Sequence, residues 1–271
     1  MNGALRKKAE LEGLPLRDFI LRRMDEIRPA DGISRTIFAA CPNSSAVIKA
    51  SLRAARRWNS PIKFAATLNQ VDLDGGYTGL TQEEFVKTIR IEAGRLNLQV
   101  PVIIAIDHGG PWLKDAHTAA KLPFEDTLNA VKTSFEASIK AGYDLIHVDP
   151  TVDIALAKGV TIPIETVAER TLSLIAHAET FRKAGCYKPI AYEVGTEEVH
   201  GGLADMATFR KFLSLLKEGL ARQGNGDVWP CFVVGKVGTD LHTTEFDPVT
   251  AGELTKIARE YGSVIKGHYT D

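Results

Sequence analysis

Residues 102–111 read Val-Ile-Ile-Ala-Ile-Asp-His-Gly-Gly-Pro. An uncharged run of branched apolar residues stops abruptly at an acid and an imidazole, then at two glycines and a proline. Such a run suits a strand buried on both faces, as in a parallel sheet. Asp107 and His108 therefore arrive at the C-terminal end of a strand, where α/β proteins gather their chemistry. An imidazole can ligate a divalent metal, and a neighbouring carboxylate can move a proton.

The same grammar recurs outward from this stretch. Strand-like runs cover Ser34–Cys41, Pro61–Leu68, Pro101–Asp107, Leu145–Asp149, Pro189–Glu197, Cys231–Thr239 and Ser263–Thr270. Segments of helical period lie between them. Thr81-Gln-Glu-Glu84 reads as a capping box ahead of Phe85, Ile89 and Leu96, and Thr250-Ala-Gly-Glu253 as a second. Seven βα units in alternation predict a parallel α/β fold. Polar groups close the strands all along the chain (Asn69, Asp107, Asp149, Glu193, His242, His268), which favours a TIM (β/α)8-type barrel with one mouth over an open sheet with one switch point. Residues 1–271 read as a single barrel domain, with residues 1–30 a helical segment carrying Leu16, Phe19, Ile20 and Met24. Seven strands are evident, so the eighth is expected beyond Asp271, in a longer protein.

Composition excludes several function classes. A net charge of −1 offers no electrostatic case for nucleic acid or an anionic membrane. No apolar run is long enough to span a bilayer, and no apolar segment follows basic Met1–Lys8, so the reading is a cytoplasmic protein without a secretory signal. Cys41, Cys186 and Cys231 are far apart and odd in number, which fits a reducing compartment and buried structural thiols. The chain has neither Gly-x-Gly-x-x-Gly after a strand nor a P-loop.

Three further places carry chemistry. Asn69-Gln70-Val-Asp-Leu-Asp-Gly-Gly-Tyr-Thr-Gly79 is a glycine-rich loop, either a set of positive-φ turns or a mouth loop over substrate. Glu193 and Glu197 share one face of the fifth strand, and suit metal binding or hydroxyl recognition. His108, His242 and His268 come from three strand ends, and three imidazoles with an open position make a catalytic zinc arrangement.

Asn69-Gln-Val…Gly75-Gly-Tyr-Thr-Gly-Leu-Thr81, Asp107-His-Gly-Gly-Pro111, Ile146-His-Val-Asp149, Glu165-Thr-Val-Ala-Glu-Arg170 and Gly195-Thr-Glu197, in this order, resemble the Z-type (GatZ/KbaZ) subunit of class II tagatose-1,6-bisphosphate aldolase. The resemblance covers roughly residues 34–271. It implies a TIM barrel in galactitol, tagatose or N-acetylgalactosamine catabolism. The reaction is reversible cleavage of a ketose bisphosphate to dihydroxyacetone phosphate and glyceraldehyde 3-phosphate, supported alongside a zinc-bearing Y-type subunit. An older family label is tagatose-6-phosphate kinase.

In class II aldolases generally, zinc ligands follow the catalytic Asp and close the sixth and seventh strands. Asp107, His108 and His268 match those places. At the sixth, Gly235-Lys236 stands where the ligand belongs, and His242 comes several residues later, in register with a histidine of the Z-type subunits. The expectation is Asp107 and Glu193 as proton movers and His108, His242 and His268 as metal ligands. Asn69, Gln70, Asp149, Glu197 and Lys236 are expected on a ketose phosphate substrate. A homo-oligomer fits as well. The alternative is an independently active metal-dependent aldolase or epimerase acting on a ketose or sugar acid.

Overall fold

The computed structural model describes residues 3–33, 35–157, 160–196, 205–235 and 246–267. Helices α1 (Gly3–Leu11) and α2 (Leu16–Asp31) precede the first strand, β1 (Ala39–Ala40). The chain then alternates through α3 (Ser45–Trp58), β2 (Ile62–Ala66), α4 (Gln82–Arg95) and β3 (Val102–Gly109). A short α5 (Asp115–Ala119) and a long α6 (Phe124–Ala141) lead to β4 (Leu145–Val148), and α7 (Ile164–Ala184) leads to β5 (Ala191–Gly195). The last described elements are α8 (Met206–Arg222), β6 (Phe232–Val234), α9 (Pro248–Glu260) and β7 (Val264–Lys266).

The strands form one sheet in the order β1-β2-β3-β4-β5-β6-β7. Pairing is parallel wherever register is defined, as in Ile62↔Val102 through Ala66↔Ile106. Between β3 and β4, Asp144 N donates to Ile104 O and Asp149 N to Gly109 O, so both strands advance together. Sequential order without reversal is the TIM-barrel pattern. Every residue of β2 is buried, and all of β3 except His108, as expected for strands covered on both faces.

Local chemistry starts the helices. Thr81 and Glu84 form the capping box on α4, each side chain bonding the other's backbone. Ser44 caps α3 and Asp205 caps α8. At α9 the expected box at Thr250 gives way to a cap three residues earlier. Asp247 accepts from Val249 N and Thr250 N, and Pro248 opens the helix. Proline has no N–H to satisfy and its fixed φ suits the first helical position, so the helix starts there. The thiols also differ from expectation: Cys41 and Cys186 are exposed, and only Cys231 is buried. Cys41 follows the short edge strand and Cys186 follows the end of α7, both turning segments without cover.

The described chain divides into two compact units. The first comprises Met1–Asp107, Thr133–Ile146 and Phe181–Ala191. In it, Ala9, Leu16, Phe19, Ile20 and Ile103 form one buried cluster, so α1 and α2 lay their apolar faces on β3. Phe85 packs edge-on to Phe64 and tilted against Tyr143. Buried Asp72 accepts from Gln82 Nε2 at 2.9 Å and Ser134 Oγ at 2.7 Å, tying the glycine-rich loop to α4 and α6. Gly75, Gly76 and Gly79 all take positive φ there, as the turn reading requires.

The second unit comprises His108–Lys132, His147–Thr180 and Tyr192–Asp271. Gly219 of α8 lies against Leu172 of α7, where a Cβ would stand 2.2 Å from Leu172 Cδ1. The indole of Trp229 stacks with Tyr261 and donates to Ser263 Oγ at 2.9 Å. Arg170 holds Asp153 at 2.7 Å and covers the Phe124 ring at 4.3 Å.

Candidate active site

Three strands deliver the site. His108 is the penultimate residue of β3, His147 lies in β4 with Asp149 just past its end, and Glu193 is the middle residue of β5. A regular strand would point Asp107 and His108 to opposite faces. His108 instead takes φ 48°, the left-handed region, which costs a residue with a Cβ roughly 1–2 kcal/mol. The kink breaks the alternation. Asp107, His108 and His147 then each bring one ligand atom within 4.8 Å of the others. Strain of this kind persists only where the surroundings hold it.

The surroundings are visible. Asp149 N bonds Gly109 O at 3.0 Å, and Gly110 passes so close to Asp149 that a Cβ there would meet its carbonyl oxygen at 1.7 Å. Only glycine permits that approach. The loop after β3 is thereby laid across the end of β4.

His108 Nδ1 lies 2.6 Å from Asp149 Oδ2. Asp149 is 2% exposed and also accepts from Thr151 Oγ1 at 2.5 Å. Burial alone would raise its pKa. The His108 hydrogen bond, the favourable electrostatics of the His108 and His147 rings and the Thr151 hydroxyl outweigh it, and the carboxyl is held well below the usual carboxylate range. An ionised Asp149 accepts a hydrogen bond from Nδ1–H, so Nε2 of His108 presents its lone pair.

His147 is completely buried. Its Nδ1 meets two groups: His108 N donates to it at 3.1 Å, and Glu193 Oε1 lies 3.3 Å away. The two ask opposite things of that nitrogen, a lone pair for the N–H and a proton for the carboxylate. A lone pair on Nδ1 serves His108 N–H, whereas ligation of a metal through Nε2 requires the other neutral tautomer, with the Nδ1 proton shared with Glu193. Glu193 is itself fully buried and ion-paired to Lys266 of β7. A buried carboxylate needs such a partner.

Of the residues expected from the sequence, the structure brings together Asp107, His108, Asp149 and Glu193. Asn69 and Gln70 belong to the first unit, on the loop after β2. Gln70 uses its amide within that loop: Thr67 N donates to Oε1 at 2.9 Å, and Nε2 donates to Tyr77 OH at 2.8 Å. His242, His268, Glu197 and Lys236 lie outside the described residues. Sequence reasoning passed over His147 and Lys266. A signal existed for the first, since His147 stands two residues before Asp149 and period-2 alternation puts both on one face. Lys266 likewise interrupts the apolar run Val264-Ile265 two residues before His268.

The donor set fits a divalent ion. It offers one carboxylate and two imidazoles, each imidazole backed by a buried carboxylate, which is the usual second shell of a zinc-type site. Asp107 is 6% exposed and supplies the carboxylate of the cluster.

A family model described as D-tagatose-1,6-bisphosphate aldolase subunit GatZ/KbaZ-like matches residues 24–271. Among solved structures, the chain is similar to a probable tagatose 6 phosphate kinase from Sinorhizobium meliloti 1021. The two share 25% identity with a TM-score of 0.71 over 88% of this chain, which spans 59% of the length of that one. It is also similar in fold to fructose-bisphosphate aldolase (Fba) from Campylobacter jejuni, at 14% identity and a TM-score of 0.56, covering 93% of this chain and 68% of that one.

Proposed function

The chain belongs to the GatZ/KbaZ-like family of D-tagatose-1,6-bisphosphate aldolase subunits, and from that membership we propose that it is a Z-type subunit supporting reversible cleavage of a ketose bisphosphate. The products are dihydroxyacetone phosphate and glyceraldehyde 3-phosphate. The setting is cytoplasmic galactitol, tagatose or N-acetylgalactosamine catabolism, with a Y-type subunit as partner. One observation carries the reading beyond membership: the pair of carboxylate-backed imidazoles, His108–Asp149 and His147–Glu193, beside Asp107.

The chemistry follows from those residues. His108 and His147, with Asp107 beside them, would hold a divalent metal such as zinc, which would polarise a ketose carbonyl when bound. Asp149 fixes the His108 ring and keeps its Nε2 aimed outward. Glu193, buried and tied to Lys266, suits a positioning role on His147 better than proton transfer. Asp107 exchanges the proton of the substrate hydroxyl adjoining the bond that breaks. Among the described residues, no helix is long and apolar enough to cross a membrane. The kinase name borne by the Sinorhizobium protein finds no phosphate-cradling motif in this sequence.

A second reading, an independently active metal aldolase or epimerase, is favoured by the completeness of the histidine supports. Against it stands Gly235 at the end of β6, where a Cβ would stand 2.8 Å from Ile265 Cδ1 and 3.0 Å from Leu254 Cδ1. A ligand side chain there would have to displace both methyls. The test is a coupled cleavage assay on tagatose 1,6-bisphosphate with added zinc, with and without a Y-type subunit. We expect little turnover from the chain alone and stimulation of the partner. Turnover by the chain alone at roughly 1–10³ per second, abolished by His108→Ala, would place it among independent enzymes.

A further inference from the structure

Asp144 sits at the N-terminal approach to β4, in the first unit, and is 2% exposed. It accepts from Arg6 Nη2 at 2.9 Å, Lys188 Nζ at 2.6 Å and Ile104 N at 3.0 Å. Two cations on one buried carboxylate already leave an excess of positive charge. Arg90 of α4 and Lys140 of α6 add to it. They join Arg6 and Lys188 in lining a cavity of about 480 Å³, with Glu10 as its acid. Four cations against Glu10 and Asp144 leave two positive charges. Arg90 and Lys140 make no ion pair among the described residues. Gly142, at φ 89°, gives Arg90 room: a Cβ there would stand 3.3 Å from Nη2. The crowding is felt within the cavity, where burial, Arg6 and Arg90 together hold the Lys188 ammonium below the ordinary lysine value despite Asp144.

We propose that this cavity is a binding site for a phosphate monoester, separate from the histidine cluster. The chemistry selects that class. Two surplus charges match a phosphate dianion, and the guanidinium fork of Arg90 matches its oxygens, that of Arg6 being engaged by Asp144 and Val102 O. The volume exceeds what a bare ion needs and falls in the range of small-ligand pockets. Tyr187, stacked on Phe181 at 5.6 Å between ring centroids, adds a flat wall for the organic body. No residue of the cavity belongs to the histidine cluster, so the inference does not depend on the aldolase reading.

The test uses the full chain and three probes: inorganic phosphate, ribose 5-phosphate and AMP. Calorimetric titration is run on the wild type, on R90Q/K140Q and on H108A. Both substituted cations are exposed on helices, and circular dichroism checks that the variant folds, with K140Q alone as the milder form. We expect saturable binding of an organic phosphate, weakened at least about tenfold in R90Q/K140Q, unchanged in H108A and lost in high salt as surface charges are screened. Preference for AMP over ribose 5-phosphate, or the reverse, identifies the organic body. Three results overturn the proposal: no binding by any probe, equal binding by R90Q/K140Q, or binding lost in H108A instead.

Discussion

Asp149 Oδ2 stands 2.6 Å from His108 Nδ1, and that one contact decides which imidazole nitrogen faces the cluster. Both groups come to it by constraint. His108 is turned by its positive φ, and Asp149 is fixed by Gly109 O and the passage of Gly110.

Asp149→Asn tests this relationship. The amide keeps the shape and loses the charge, so neither tautomer of His108 is enforced. Zinc affinity, read by competition with a chromophoric chelator, should fall about 10–100-fold, with the fold intact by circular dichroism.

Gly110→Ala should be poorly tolerated. The added Cβ meets backbone, not a movable side chain, so the loop after β3 or the end of β4 must shift. We expect a lower urea midpoint corresponding to roughly 1–3 kcal/mol, and weaker zinc binding, because the same crossing orders His108 and Asp149.

Lys266→Met removes the cation bound to fully buried Glu193. Breaking such a pair on one side should destabilise by about 3 kcal/mol in urea unfolding. Adding Glu193→Gln should restore much of the loss, since the uncompensated charge is then gone. An additive double variant would refute the coupling.

Arg6→Met tests the acid limit of stability. Burial opposes ionisation of Asp144, but Arg6 and Lys188 outweigh it and hold the carboxyl below its ordinary value. A carboxyl depressed in the folded state stabilises fully above its unfolded pKa, near 4. That contribution is lost as pH falls through the lower folded value. Removing Arg6 raises the folded value towards the ordinary one. Acid unfolding, followed by circular dichroism from pH 7 to pH 2, should therefore begin at higher pH than in the wild type.

By itself the sequence determined the architecture. Uncharged runs such as Val102–Ile106 have one low-energy fate, a strand covered on both faces. Alternation with amphipathic helices then dictates parallel neighbours in chain order. Capping was legible where the cap is local, at Thr81 and Glu84, and misread at α9, where Asp247 and Pro248 take the start. For the candidate site, the strand-end rule singled out Asp107, His108 and Asp149, because where a strand ends is a local property; Glu193, expected at a strand end, lies in the middle of β5. Which of them touch is not local. The contact of His108 with Asp149 spans 41 residues and that of Lys266 with Glu193 spans 73. Both arise from strand register and from one left-handed residue whose strain the neighbouring strand holds. The cavity at Arg6, Arg90, Lys140 and Lys188 was likewise invisible in the chain, since each cation comes from a separate segment. Only the packing of α1, α4, α6 and the approach to β5 around Asp144 sets their charges side by side.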